Sequence, residues 1–296
     1  MIDKFNFYDV YGYFLPGAAI VLLFWLPFGL VQGKWPDSSL GSAVIGVAVA
    51  YFIGHLLQII CTKLVPSSVG KGKDKHDRYP SDVVIDQDNE SLTTELKTNL
   101  EEVVRKRFKL EIGVDKPGSK ALDRVRRDAF YCARHVLVKA KEVSYGEQFE
   151  GLYTLMRGLS AAFALGAANF CGWSLSLLHG KVLDCVVIVV ITVSLLAAAN
   201  INVRKDISLS LEKWSAFLLI LTSMGLGYGM GRHNEVSILK SAELALCAVL
   251  ALIVCVRTYG SYKRFSFLFA VTIWRDFYAS CGGEQPAANK ADNQKD

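Results

Sequence analysis

Residues 42–78, SAVIGVAVAYFIGHLLQIICTKLVPSSVGKGKDKHDR, contain the change of composition that decides the fold. Up to residue 62 this stretch is apolar and has no Asp, Glu, Lys or Arg, whereas charged residues and glycine dominate from Lys63 onward. Polar sequence then continues to residue 156, and long apolar segments return after it. A helix needs about 20 mostly apolar residues to cross the hydrocarbon core of a bilayer. The stretch therefore predicts apolar membrane segments on both sides of a polar insert.

The composition of the whole chain supports this interpretation. Hydrophobic residues make up 52% of the 296 residues, and the charged residues are concentrated in a few windows. The net charge of +5 is modest and gives no reason to expect a nucleic-acid partner. The seven cysteines are an odd number without a CxxC pair, which argues against a disulfide framework and a metal site. We expect no metal and no cofactor.

Six segments are predicted to cross the membrane, which makes the chain an all-α integral membrane protein with a cytosolic helical insert between the second and third spans. The predicted spans are residues 14–31, 42–62, 158–178, 182–200, 215–231 and 241–256. An even number of spans places both termini on the same side. If that side is the cytosol, only four of the 33 Lys and Arg residues lie in outer loops, as the positive-inside rule requires.

The chain is accordingly divided into six parts. They are a two-span membrane hairpin (1–62), a flexible linker (63–90), a cytosolic helical insert (91–156), a four-span membrane bundle (157–256), an interfacial basic and aromatic segment (257–281) and a disordered tail (282–296). The Lys, Gly, Ser, Asp and Pro content of 63–90 is typical of a mobile linker, in which His76 and Asp77 are solvated charges. The apolar run within 257–281 is too short to cross, so this segment lies on the inner leaflet or packs on the insert.

Small residues recur at four-residue spacing within several predicted spans. Such faces let two membrane helices approach closely, and they predict helix packing and assembly into a homo-oligomer. The predicted packing residues are Ser42, Gly46, Ala50, Gly54, Gly166, Gly172, Gly225 and Gly229.

Three polar side chains inside predicted spans are candidates for lining or gating a pore: His55, Gln58 and Asn169. A polar or ionisable group within the hydrocarbon core is energetically expensive, so its presence suggests a function. The alternative is that these groups form hydrogen bonds between neighbouring helices, with His55 neutral or close to the inner interface.

The insert contains two predicted amphipathic helices, one beginning at Ser91 and one covering residues 119–141. The apolar face predicted for the second consists of Leu122, Val125, Ala129, Cys132, Ala133, Val136 and Ala140. Its opposite side is basic, which suits an anionic ligand, a cytosolic protein partner or lipid headgroups, although a solvated face is the simpler alternative. The candidate residues for an anionic partner are Arg124, Arg126, Arg127 and Arg134.

A capping box at Ser144 and Glu147 predicts the start of a further helix. We expect this helix to run without a break into the third span. A continuous helix can carry a movement of the insert into the bilayer, which makes it a candidate for transmitting a signal.

The sequence offers no catalytic constellation. It contains no P-loop, no HExxH motif and no paired carboxylates within a predicted span. Asp184 and Glu243 lie near the outer ends of their spans, where a carboxylate is readily solvated. We therefore predict that the protein is not an enzyme.

The N-terminal motif Tyr8-Asp9-Val10-Tyr11-Gly12-Tyr13-Phe14-Leu15-Pro16-Gly17 and the overall layout resemble a group of uncharacterised bacterial inner-membrane proteins. These proteins have an aromatic Tyr-Asp-x-x-Gly-Tyr-x-x-Pro-Gly entry and a cytosolic helical insert. Some look like the membrane effectors of antiphage defence systems, in which a cytosolic sensor triggers damage to the inner membrane. The resemblance implies a multi-pass protein of the cell inner membrane, and it assigns no site residue.

Three hypotheses for the function follow from the sequence. The first is an oligomeric membrane effector or channel that is gated through its insert. The second is a membrane-anchored scaffold whose insert recruits a cytosolic partner. The third is a small-solute carrier with His55, Gln58 and Asn169 around a central site, although a carrier usually has more broken helices and central polar groups.

Overall fold

The computed structural model describes residues 9–36, 39–71, 76–114, 116, 118–140, 145–178, 210–231 and 238–281. The described residues are mostly helical, as predicted, and they form two compact units. The apolar unit comprises Met1–Pro66 and Gly151–Tyr262, and the polar unit comprises Ser67–Glu150 and Lys263–Asp296. In chain order the elements are a π-helical turn (Asp9–Phe14), α1 (Leu15–Gln32), α2 (Leu40–Leu64), β1 (Gly70–Lys71), β2 (Asp77–Arg78), α3 (Pro80–Val83), α4 (Thr94–Phe108), α5 (Lys120–Ala140), α6 (Tyr145–Leu178), α7 (Ser210–Gly231) and α8 (Ile238–Ser280).

The first two helices form where the sequence predicts the first two spans. Pro16 occupies the first turn of α1, where its missing N–H costs no helical hydrogen bond. The helix ends at Gly33, whose φ of 67° favours glycine and whose N–H donates to the carbonyl oxygen of Gly29 at 3.1 Å. Ser39 caps α2 by accepting a hydrogen bond from the N–H of Ser42 at 3.3 Å.

Two glycines allow α2 to approach the π-helical turn and α1 at backbone distance. A Cβ at Gly54 would overlap the carbonyl oxygen of Tyr13, and a Cβ at Gly17 would overlap the carbonyl oxygen of Ala50. Ala50 itself is buried. The predicted small face at Ala50 and Gly54 is therefore used within the chain.

A second close approach joins α6 to α7. A Cβ at Gly172 would overlap the carbonyl oxygen of Met224, and a Cβ at Gly227 would overlap the carbonyl oxygen of Asn169. The contact is reciprocal, because each helix supplies a glycine to the other helix's carbonyl. The hydrophobic core of the apolar unit includes Leu57, Cys61, Leu165, Phe170, Trp173, Leu244 and Ala251.

Three helices in the described part of the chain are long and apolar enough to cross a membrane: Asp9–Gln32, Leu40–Leu64 and Leu239–Ser280. Ala216–Gly231 is a shorter apolar helix at the predicted fifth span. The predicted third span, 158–178, falls within α6. The predicted span 182–200 and the predicted tail 282–296 lie outside the described residues. Three apolar helices indicate membrane association.

The polar unit is built on a short antiparallel hairpin and three helices. Strand β1 pairs with β2 in the register Gly70 with Arg78 and Lys71 with Asp77. Helix α4 is capped by Thr93, which accepts a hydrogen bond from the N–H of Leu96 at 3.3 Å. The core of the unit includes Val84, Ile85, Leu92, Leu100, Val104, Ile112, Val114, Ala129, Phe130, Ala133, Leu137, Trp274 and Phe277.

The interpretation of residues 63–90 as a flexible linker is wrong for most of its described part. Helix α2 extends to Leu64, and the segment then forms β1, β2 and α3. Val84 and Ile85 are fully buried in the core of the polar unit. Composition was misleading here because the charged residues of this segment pair with charges elsewhere in the unit.

The C-terminal segment 257–281 is not a separate interfacial helix. Helix α8 continues through the predicted end of the sixth span and reaches Ser280. Within the polar unit its aromatic residues pack on α4 and α5: the ring of Phe277 stacks on Phe108 at 5.4 Å, and Trp274 lies 5.7 Å from Phe130 between ring centres. Of the two predicted placements, packing on the insert is the one observed.

The predicted continuous helix is confirmed, since α6 runs from Tyr145 to Leu178 without interruption. Its proposed N-cap, Ser144, lies outside the described residues. Both α6 and α8 contribute residues to each of the two units.

Candidate functional site

The most strongly organised polar feature is a cluster of buried charges in the polar unit, which we call the charge cluster. Its members are His76, Arg78, Asp82, Asp86, Asp123, Arg126 and Arg127. Asp123 lies at its centre, with a side chain that is 1% exposed. Its Oδ2 accepts hydrogen bonds from His76 Nε2 at 2.6 Å and from Arg78 Nε at 2.7 Å. The β-hairpin is thereby attached to α5.

Arg126 is fully buried and satisfies its donors within the unit. Its Nη1 pairs with Asp86 Oδ1 at 2.5 Å. Its Nε donates to the carbonyl oxygen of Ile112 at 2.8 Å, and its Nη2 donates to that of Gly113 at 2.7 Å. Gly113 has a φ of 53°, a conformation that favours glycine. Arg126 therefore holds the turn before α5 against the turn after α3.

Asp82 and Arg127 extend the charge cluster to the start of α3. Asp82 is fully buried, accepts a hydrogen bond from the N–H of Tyr79 at 3.0 Å and pairs with Arg127 Nη2 at 2.6 Å. The guanidinium of Arg127 lies over the ring of Tyr79, 4.1 Å from its centre. Arg127 therefore contacts both the N-cap residue of α3, Tyr79, and its third residue, Asp82.

Lys97, on α4, is a further buried cation. Only 1% of the residue is exposed, because its ammonium group donates to the carbonyl oxygens of Asp86, Gln87 and Asn89. Burial lowers the pKa of Lys97, and Asp86 and Asp88 oppose that shift. Three carbonyl oxygens thus hold one cation beneath the turn that follows α3.

The buried face of α5 is rotated about the helix axis relative to the predicted buried face. Its buried residues are Asp123, Arg126, Ala129, Phe130, Ala133 and Leu137. The predicted stripe began at Leu122 and Val125, which are only half-buried. Hydrophobic periodicity placed Arg126 on the solvent side, whereas complementary charges allow it to be buried.

The four predicted anionic-partner residues have different environments. Arg126 is inaccessible, and Arg127 is paired with Asp82. Arg134 pairs with Glu150 at 2.6 Å and is about one-third exposed. Arg124 is exposed on α5. The structure therefore does not bring the four together on one free basic surface.

The charge cluster makes the stability of the polar unit depend on pH. Burial by itself would raise the pKa of Asp123, but the hydrogen bonds from Arg78 and His76 outweigh burial and hold that pKa below its usual value. A carboxyl whose pKa is lower in the folded state stabilises the fold above its unfolded pKa of about 3.9, and this contribution is lost as the pH falls through the folded pKa.

We expect amide hydrogen exchange in α5 to accelerate when the pH is lowered below about 4, because protonation of Asp123 removes two of the hydrogen-bond partnerships above. Exchange rates corrected for the intrinsic pH dependence, measured by mass spectrometry on residues 120–140, check this. In Asp123→Asn protein the acid-dependent increase should be smaller. An equal increase in both proteins would assign the acid sensitivity to other carboxyls.

Within the apolar unit, His55 and Gln58 both contact residues of the π-helical turn. His55 is exposed; its ring stacks on Tyr13 at 3.9 Å between ring centres, and its Nδ1–H donates to the carbonyl oxygen of Tyr51 at 3.0 Å. Gln58 Nε2 donates to the carbonyl oxygen of Gly12 at 2.5 Å. Gln58 therefore acts as a hydrogen-bond link between α2 and this turn.

Asn169 lies in a different helix contact, against α7. It is fully buried, and neither its Oδ1 nor its Nδ2 has a hydrogen-bond partner among the described residues. The three predicted pore candidates therefore belong to two separate contacts. His55 and Gln58 face the N-terminal turn, whereas Asn169 faces Gly227.

The predicted packing residues also separate into two groups. Ala50, Gly54, Gly166, Gly172 and Gly225 are buried or in contact within the apolar unit. Gly46 and Gly229 are exposed with open space around them, and Ser42 contributes to the start of α2. Small residues at four-residue spacing therefore mark intramolecular contacts at most of these positions.

The sequence did not reveal the charge cluster, although one signal was present. Asp123 and Arg126 are one turn apart on the side of α5 that also carries Phe130 and Leu137. A charged pair in line with large apolar residues is typical of a buried ion pair. The carboxylates of the charge cluster accept hydrogen bonds from guanidinium groups, so they are engaged in holding the fold together.

No protein-family model, curated protein or solved structure significantly matches this chain.

Proposed function

We propose that this protein is a multi-pass effector of the bacterial inner membrane whose polar unit controls the permeability of its apolar unit. In this proposal the chain crosses the membrane six times, both termini and the polar unit are cytosolic, and copies of the chain assemble into an oligomer. The positive-inside distribution of Lys and Arg supports the orientation. Cellular damage to the membrane during phage infection is the role that the N-terminal resemblance suggests.

The observation that carries the proposal is that two helices are shared between the units. Helix α6 and helix α8 each extend without interruption from residues of the polar unit to residues of the apolar unit. An uninterrupted helix transmits displacement and rotation along its axis better than a flexible linker does. A change in the polar unit therefore has a direct mechanical route to the apolar helices.

The contacts within each unit support the proposal of a single closed state. The charge cluster fixes the hairpin, the turn after α3 and helix α5 to one another. In the apolar unit the contacts at Gly54 and Gly172 bring helices together at backbone distance. We infer that this arrangement is the closed state, held closed by an intact polar unit.

Gly260 offers a direct test, because it lies within α8 near the division between the units and has open space around it. A proline here removes a helical hydrogen bond and breaks the helix at a cost of about 3 kcal/mol or more. An alanine fits and strengthens the helix by about 0.5–1 kcal/mol. We expect Gly260→Pro to depolarise cells after induced expression, whereas wild type and Gly260→Ala leave the potential unchanged.

The measurement is membrane potential with a voltage-sensitive dye, with membrane insertion confirmed for all three proteins. Equal potentials for wild type, Gly260→Pro and Gly260→Ala would contradict control through α8. Amide exchange in α4 and α5 serves as the folding control, since these helices should remain protected in Gly260→Pro. A deletion of residues 63–118 would be less informative, because it would remove Val84, Ile85, Leu100 and other core residues of the polar unit.

A membrane-anchored scaffold is the second candidate, and one observation favours it. Among the described residues of the polar unit, three large hydrophobic side chains are more than half exposed: Tyr131, Val138 and Tyr145. Val138 borders a cleft that Leu137, Phe269, Ile273, Arg134, Glu147 and Glu150 also line. A scaffold predicts that Gly260→Pro leaves the potential unchanged and that Tyr131→Ala and Val138→Ala reduce partner recruitment.

A further inference from the structure

Arg157 on α6 is half-buried in the apolar unit and has no carboxylate partner among the described residues. Its Nε donates to the carbonyl oxygen of Val65, the C-cap residue of α2, at 3.2 Å. Its guanidinium carbon lies 5.9 Å from the ring centre of Tyr262 on α8, a side chain that is buried. These contacts orient the guanidinium group. Its two terminal nitrogens, which carry most of the donors of an arginine, have no partner among the described residues.

Arginines elsewhere in the chain are paired differently. Four arginines of the polar unit have a carboxylate oxygen within 2.7 Å: Arg78, Arg126, Arg127 and Arg134. The helical segments that surround Arg157 contain no Asp or Glu that could serve in the same way: residues 40–66, 151–178 and 244–262. A guanidinium group that is partly removed from water is stabilised by an anion. Arg157 therefore has an oriented cation whose counterion is not supplied by these segments.

Arg157 lies at the level where the apolar helices end. Its partner Val65 is the first residue after α2, and Lys63 is an exposed cation in the last turn of that helix. On α8, Arg257 is exposed and precedes Tyr262 by about one and a half turns. Arginine, lysine and tyrosine side chains are common at the depth of the lipid headgroups, where an apolar stem or ring meets water.

We propose that Arg157 binds the phosphate group of an anionic phospholipid, which is held at the ends of α2, α6 and α8. Two parallel N–H groups of the guanidinium donate to two phosphate oxygens, the geometry that makes arginine a strong phosphate ligand. The positive charges of Lys63 and Arg257 favour an anionic lipid over a zwitterionic one.

A lipid suits this site better than a soluble anion does. Apolar side chains are exposed at the same ends of the helices, among them Ile59 on α2 and Val256 on α8, and acyl chains can cover them. The inference rests on the proposed function, which places these helix ends in the headgroup layer of the cytosolic leaflet.

The test is lipid binding to the purified full-length protein in dodecyl maltoside, measured by native mass spectrometry. The probes are dioleoylphosphatidylglycerol, which is anionic, dioleoylphosphatidylcholine, which has a phosphate but no net charge, and inorganic phosphate as a competitor. Arg157→Gln removes the charge and keeps a polar side chain. Arg124→Gln is the matched control, because Arg124 is an exposed arginine of α5.

We expect Arg157→Gln to raise the Kd for phosphatidylglycerol about tenfold, the loss that corresponds to one hydrogen-bonded charged group. Arg124→Gln should leave this Kd unchanged. An equal Kd for wild type and Arg157→Gln would overturn the proposal, and so would equally tight binding of phosphatidylglycerol and phosphatidylcholine by wild type. Displacement of the lipid by an equal concentration of inorganic phosphate would assign the site to a soluble anion and overturn the lipid as its occupant.

Arg157→Lys keeps the test decisive if Arg157→Gln does not fold, which circular dichroism checks. Lysine retains the positive charge but cannot donate two parallel hydrogen bonds to one phosphate. We expect its Kd for phosphatidylglycerol to lie between those of wild type and Arg157→Gln. A Kd equal to that of wild type would overturn the contact with two phosphate oxygens.

The outcome is separable from that of the proposed function. Lipid binding that depends on Arg157, without depolarisation by Gly260→Pro, would leave the lipid site standing and remove the control of permeability. Depolarisation by Gly260→Pro, with equal Kd values for wild type and Arg157→Gln, would retain the effector function and remove the lipid site.

Discussion

Replacing Gly54 by alanine is expected to disrupt the packing of α2 against the N-terminal turn. The added methyl group would overlap the carbonyl oxygen of Tyr13, which belongs to the backbone and cannot rotate away. Overpacking against such a contact costs about 3 kcal/mol, the upper end of the usual range. The unfolding of purified protein in mixed detergent micelles, titrated with a denaturing detergent and followed by circular dichroism, measures the loss.

Gly46→Ala is the matched control on the same helix. Gly46 is exposed and has open space, so alanine there should change stability by no more than about 1 kcal/mol, on the stabilising side. If Gly54→Ala were as stable as Gly46→Ala, the close approach at Tyr13 would be refuted.

This comparison also decides how assembly must be tested. A bulky residue at Gly54 damages the single chain, so loss of function there says nothing about contacts between subunits. Gly46→Leu is the better probe, because Gly46 is exposed and no described residue lies within 4 Å of an added Cβ. Light scattering of the purified protein should show a smaller oligomer if copies associate through this face.

The second large effect is expected at the centre of the charge cluster. Asp123→Asn removes one charge while Arg78 and Arg126 stay buried or nearly so, and breaking a buried pair in this way costs about 3–5 kcal/mol. Amide exchange in α5 should accelerate accordingly, since the hairpin is no longer held to this helix.

Asp128→Asn provides the control for Asp123→Asn, because Asp128 is on the same helix and exposed. Its substitution should change stability by no more than about 0.5 kcal/mol. Similar exchange rates for the two variants would show that the charge cluster contributes little to the stability of the polar unit.

Sequence patterns predicted those parts of the fold that depend on runs of apolar residues and on the residues that begin or end a helix. The apolar runs and Pro16 locate the first two helices. The capping pattern at residues 144–147 predicted the start of a helix, and the structure has a long helix that begins at Tyr145. These features depend on residues close together in the chain.

The parts that could not be predicted depend on charge pairs between distant residues. Asp123 and Arg78 are 45 residues apart, and nothing local shows that they neutralise each other. Charge pairs of this kind also explain why residues 63–90, which have the composition of a linker, contribute Val84 and Ile85 to the core of the polar unit. Asn169 was identified as unusual, but its contact with Gly227 required the structure.

In the proposed mechanism, an uninterrupted α8 lets the polar unit keep the apolar unit closed. Potassium flux from liposomes containing purified protein is the decisive test, because no other cellular component is present. We expect a leak with Gly260→Pro and tight vesicles with wild type and Gly260→Ala. Tight vesicles with all three proteins, at equal protein content, would contradict it.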